Sequence, residues 1–203
     1  MRTRSVCTPT LAACLLVAVT TAACTQAAGP PPQPSEAAAP AQTPVERGKA
    51  LVTTGLCHDC HTPKKFGPKG PEPDMDRMLS GHPEDLKVTA PFKPTPATSW
   101  TAATNDHLTA WSGPWGVSFA ANLTPDTVTG LRSGVWTEEL FIKALRTGKH
   151  MGTARDILPP MPWQFIGQLS DEDLKAIWAY LGTIPAIVNH VPDPMSPTGE
   201  PLQ

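Results

Sequence analysis

Residues 57–61 read Cys57-His58-Asp59-Cys60-His61. Two thiols three positions apart, followed at once by an imidazole, have a specific chemical use. The two sulfurs can form thioethers to the vinyl groups on one side of a haem. The next residue, His61, then lies under the iron as an axial nitrogen ligand. Other uses of such a pair need partners. A structural zinc ion takes four ligands, often two such pairs, and the remaining cysteines, Cys7, Cys14 and Cys24, all lie in the first 24 residues. A thioredoxin-like redox pair expects a βαβ setting, and no parallel-strand pattern surrounds this one. A disulfide between Cys57 and Cys60 leaves His61 unexplained. The spacing therefore predicts one covalently attached haem c, held by Cys57 and Cys60 with His61 as proximal iron ligand.

A second axial ligand comes from Met75, Met78, Met151, Met161 or Met195. Met161 is the strongest candidate, because Pro159, Pro160 and Pro162 surround it. Proline fixes φ and biases the residue before it towards extended backbone, which makes a stiff strap for a thioether. His150, His107 and His82 are the alternatives, each offering a second imidazole. His61 should pass its other ring N–H to a carbonyl, which fixes its tautomer. The Phe66–Pro71 loop is the expected source of that carbonyl.

These groups need elements to hold them. A helix is predicted from Pro44, with Thr43 and Glu46 forming a capping box and Gly55 as the stop. A second runs over Glu138–Thr147, capped by Thr137, with Leu140, Phe141, Ala144 and Leu145 as its apolar stripe. The last begins after Ser170, carries Asp171, Glu172 and Asp173 in its first turn, and ends at Gly182. Its Leu174, Ile177, Trp178 and Leu181 follow helical spacing. Between them, Thr62–Pro73 reads as a loop, Asp74–Leu79 as one helical turn, and Trp100–Ala121 as a ribbon of two or three strands.

Composition bounds the rest. The chain has 203 residues, 25 prolines, 15 glycines and a net charge of -2. Near-neutral charge argues against a nucleic-acid partner, and five cysteines, three of them near the start, exclude a disulfide scaffold. Arg2 and Arg4, the apolar run Leu11–Val19 and the small residues before Cys24 have the order of an export signal over residues 1–23. Ala22-Ala23-Cys24 is similar to a bacterial lipoprotein box, which makes Cys24 the candidate lipidation site; cleavage without lipidation is the alternative. Residues 24–43 are a Pro/Ala-rich tether with an upper reach on the order of 60 Å at ~3.1 Å per residue. The main domain is expected over residues 44–191, followed by a tail over 192–203. The expected location is the periplasmic side, anchored to the membrane by the lipid.

With these parts in order (helix, haem motif, methionine strap, final helix) the chain resembles the exported single-haem bacterial c-type cytochromes of the class I cytochrome c family. The resemblance covers roughly residues 44–191; Asn122-Leu123-Thr124-Pro125-Asp126 and Leu158–Trp163 look like recurrent family segments. It implies an all-α cytochrome c fold, here with a long irregular insertion holding a small β ribbon. It implies a crossing of the first and last helices at Gly48 against Trp178 or Tyr180, with Trp136, Trp115, Asn122, Arg132 and Arg146 as candidate donors to the haem propionates. The implied function is one-electron transfer between periplasmic or membrane redox partners, a dehydrogenase or an oxidase, with no catalysis of its own. The alternatives are a haem subunit within a dehydrogenase or oxidase complex, or a peroxidase-like enzyme should the sixth position be open.

Overall fold

A computed structural model describes residues 42–93 and 100–202. The export signal, Cys24 and nearly all of the tether lie outside the described residues. The fold is mixed rather than all-α, which corrects the expectation. Among the described residues five α-helices stand beside five strands in two antiparallel sheets, and 30% of these residues are helical. The reason is local. The segment after the haem motif is rich in Pro and Gly, which helices exclude, and its β-branched and aromatic residues pair as strands instead.

Helix α1 (Pro44–Thr54) has the complete Thr43–Glu46 capping box, and the Thr43 oxygen accepts from the Glu46 N–H. Helix α5 (Asp171–Leu181) is capped by the Ser170 hydroxyl. These two helices pack against each other more closely than any other pair of elements. Gly48 is the contact: a Cβ there would lie 1.9 Å from the Ala176 carbonyl oxygen and 2.8 Å from Tyr180 Cβ. Tyr180, rather than Trp178, is the aromatic residue at the crossing. Arg47 and Asp173 tie the same two helices at 2.7 Å. Helix α3 (Glu138–Thr147) ends in a left-handed Gly148 at φ 68° and adds Phe141 and Leu145 to the core. Val52, Leu79, Leu174, Trp178, Leu181 and Ile184 complete that core. Arg132 lies over the Trp178 ring at 4.1 Å.

Two short helices were not evident in the sequence: α2 (Cys57–His61) and α4 (Trp163–Ile166). Nor was the first sheet. Strands β1 (Lys64–Gly67) and β2 (Gly70–Pro73) form a hairpin where a loop was expected, in register Lys64↔Pro73 and Phe66↔Pro71. Two strands leave one edge of each unpaired, so Pro71 and Pro73 are tolerated. A 3₁₀ turn follows at Met75–Arg77. The predicted ribbon is a three-stranded sheet of β3 (Ala103–Thr104), β4 (Ala110–Gly113) and β5 (Gly116–Phe119), in that order. Val117 of β5 bridges to Met195, so residues beyond 191 fold back onto this sheet.

Candidate functional site

Cys57 and Cys60 lie on α2, which opens directly after α1. Leu56, in the left-handed region at φ 58°, makes the sharp change of direction between the two helices. Both thiols are half-buried and unpaired among the described residues. Burial pushes the Cys57 thiol up to about 11. Burial likewise raises Cys60, helped by Asp59 and opposed by Lys64 and the Trp111 indole. Such thiols are protonated and poorly suited to the thiolate chemistry of a redox pair. Among the described residues no group of three or more His, Cys, Asp or Glu side chains is placed to hold a metal ion.

His61 is buried, and burial lowers its pKa, with the Ala121 carbonyl working the other way. Its Nδ1–H donates to the Ala121 carbonyl at 2.8 Å. The expected source, the Phe66–Pro71 loop, is occupied in the β1–β2 hairpin; the carbonyl comes from the residues just after β5. That leaves Nε2 as the free nitrogen. Gly81 makes the approach possible. It has φ +82°, its N–H donates to the His61 carbonyl at 2.9 Å, and a Cβ would lie 2.4 Å from the Ala120 carbonyl oxygen and 2.7 Å from that of Ala121.

Lys64 closes the other end of α2. Its ammonium donates to the carbonyls of His58, Asp59 and Thr62 at 3.0–3.2 Å. Thr62, fully buried, accepts from the Leu79 N–H at 3.0 Å and bonds His58 Nδ1 at 2.9 Å. The C-terminal end of α2 is therefore densely bonded.

Met161 is partly buried and packs against the same core cluster as Cys57; Met78 does so too. The imidazole alternatives differ in availability. His82 is fully buried with both ring nitrogens engaged, to Thr109 Oγ1 at 2.9 Å and Leu86 O at 2.8 Å. His107 Nδ1 accepts from the Lys64 N–H at 3.1 Å. His150 stands edge-on to Trp136 at 5.2 Å.

The other candidates divide. Asn122 is buried and bonded to Thr124, Thr129 and Ile187, so it braces the chain. Arg146 bonds Asp171 and the Gly167 carbonyl. Trp115 is different: its indole N–H is buried without a partner among the described residues. The side chains present fit a haem. Two free thiols and one oriented imidazole share a five-residue helix. Leu51, Cys57, Leu123, Trp136 and Met161 are among the partly buried apolar side chains that pack against the core. Residues that sequence reasoning missed, Ala121 and Gly81, act through the backbone, and Lys64 acts through local bonds to carbonyls; no motif announces them.

No model of a known protein family matches the chain. It is 39% identical over 74 residues to the fructose dehydrogenase cytochrome subunit of Gluconobacter japonicus, covering 36% of this chain and 15% of that protein. Over 83 residues it is 39% identical to the cytochrome c subunit of a quinone alcohol dehydrogenase of Gluconobacter oxydans, 39% of this chain and 17% of the relative. The gluconate 2-dehydrogenase cytochrome c subunit of Pantoea cypripedii matches at 39% over 69 residues, 33% of this chain and 14% of the relative. The matched stretch thus spans about a sixth of the length of these relatives. Over roughly a third of its own length, the chain is a relative of the bacterial c-type cytochrome subunits.

Proposed function

We propose that this protein is a one-electron carrier that works as the haem-bearing partner of a dehydrogenase, with a single haem c attached through Cys57 and Cys60. The observation that carries the reading is the pairing of two free, half-buried thiols with an imidazole whose Nδ1 is fixed by the Ala121 carbonyl. The relatives named as dehydrogenase cytochrome subunits favour a subunit or dedicated acceptor over a freely roaming shuttle. When bound, a haem supplies an iron that alternates between ferric and ferrous states.

The chain's own residues do the rest. Cys57 and Cys60 would hold the group covalently. His61 would offer Nε2 to the iron, made more basic by its bond to Ala121. Met161 would supply the second ligand, a thioether, which favours the reduced state relative to a second imidazole. Partly buried Leu51, Leu123 and Trp136 would help to screen the group from water. With His61 and Met161 both holding the iron, no open site for a substrate would remain, and the protein would carry electrons rather than catalyse. Residues 1–23 act as an export signal, lipidated Cys24 as a periplasmic-side membrane anchor, residues 24–43 as a tether, and residues 44–191 as the main domain ahead of a tail. Among the described residues no helix is long and apolar enough to cross a membrane.

The reading predicts that the ferrous protein binds no carbon monoxide under native conditions and titrates as a single one-electron wave. Carbon monoxide binding with peroxide turnover would instead make it a peroxidase-like enzyme.

A further inference from the structure

The strap that carries Met161 has almost nothing to hold it. Pro159, Pro160 and Pro162 have no N–H. The neighbouring backbone bonds stop at Ile157, which donates to Gly148, and resume at Pro162, which accepts from Phe165 and Ile166. Among the described residues one hydrogen bond reaches the backbone of residues 158–161: the Ser118 hydroxyl donates to the Pro159 carbonyl. The same oxygen lies 3.3 Å from the Trp111 carbonyl, its cross-strand neighbour, but a hydroxyl has one proton and the Pro159 contact is the shorter.

The strand that supplies this hydroxyl also orients the proximal side. Ser118 is on β5, and three residues on, the Ala121 carbonyl accepts from His61 Nδ1. At ~3.3 Å per residue the two contacts are about 10 Å apart along one extended segment. That segment is fixed on both sides. Ala120 donates to the Thr109 carbonyl and accepts from His82, and Val117 exchanges bonds with Met195. Trp111, paired with Ser118 in the ladder, is held in turn by its indole N–H, which donates to the Leu108 carbonyl at 2.9 Å.

We infer that Ser118 is a positioning residue for the distal ligand, and that the Ser118–Ala121 segment fixes both axial ligands of the iron relative to one another. This rests on the assignment of Met161 as distal ligand. The inserted sheet thereby has a role: it sets the ligand geometry from outside the helical core. Ser118 itself touches neither the iron nor the methionine; it limits how far the strap can swing away. Removing the hydroxyl leaves the strap in place but raises the population in which Met161 is detached.

The test uses the haem-loaded full chain and four variants: Ser118→Ala, Ser118→Thr, Met161→Ala and Met78→Ala. Two quantities are read on the ferric protein, the far-red sulfur-to-iron charge-transfer band and the affinity for cyanide; denaturant unfolding is measured alongside. One lost hydrogen bond corresponds to a roughly two- to ten-fold rise in cyanide affinity for Ser118→Ala. The band of that variant should fade at a lower temperature. Ser118→Thr should restore both, and the unfolding midpoint should move little. Met161→Ala should abolish the band and Met78→Ala should keep it. If Met161→Ala loses the band while Ser118→Ala matches the native protein in band and cyanide affinity, the positioning role is wrong and the ligand assignment stands. A fall in unfolding midpoint alone, with cyanide affinity unchanged, also refutes the role. A band that survives in Met161→Ala overturns the assignment and the inference together.

Discussion

Lys64 places a buried ammonium on the last carbonyls of the haem-motif helix. Burial pulls its pKa down, and Asp59 and Cys60 pull the other way. A positive charge at a helix C-terminus complements the carbonyl dipoles gathered there. Lys64→Met keeps the bulk of the stem and removes the donors, leaving buried carbonyls short of partners. The expected cost is about 1–3 kcal/mol in the urea unfolding of the haem-loaded protein. An unchanged midpoint would mean that water replaces the ammonium at no cost. At this scale Cys57, Cys60 and His61 stand out in the sequence as candidates because the chemistry proposed for them is carried by side-chain type and spacing. The Ala121 carbonyl was not, because any residue supplies a carbonyl and its position 60 residues away depends on how β5 is laid down.

The helices α1, α3 and α5 start and stop where their caps dictate: Thr43, Thr137 and Ser170 at the N-termini, Gly55, Gly148 and Gly182 at the ends. Capping is a contact within four residues, so it is readable from one sequence. Strand pairing is not local, which is why the β1–β2 hairpin was taken for a loop and the fold for all-α. Pro71 and Pro73 disguise an edge strand. Gly48 lies between these cases. Its poor helix propensity hinted at a close approach, and the crossing with α5 supplies it. Gly48→Ala forces a methyl against the Ala176 carbonyl oxygen, so the two helices must separate. Overpacking of this kind costs about 1–3 kcal/mol. Thermal unfolding of the variant beside Gly55→Ala, where the nearest atom is the Leu51 carbonyl of the same helix, would show whether the helix crossing or glycine flexibility matters. A native-like transition for Gly48→Ala would contradict the packing described.

Across the whole molecule, helices and sheets divide the work. The α1–α5 pair with α3 makes the apolar core. The sheet of β3–β5, bridged to Met195, brings the Ser118 hydroxyl to the Pro159 carbonyl and leads into the Ala121 carbonyl that accepts from His61. On the function proposed, this arrangement holds one porphyrin through two sulfur bonds at Cys57 and Cys60. The most direct measurement is the intact mass of the exported protein, taken with its alkaline pyridine spectrum. The account predicts the processed polypeptide plus one haem that survives acid extraction, and the ferrous spectrum of a porphyrin with both vinyl groups saturated. A colourless protein at the mass of the bare polypeptide plus any lipid, from cells competent in haem attachment, would contradict it.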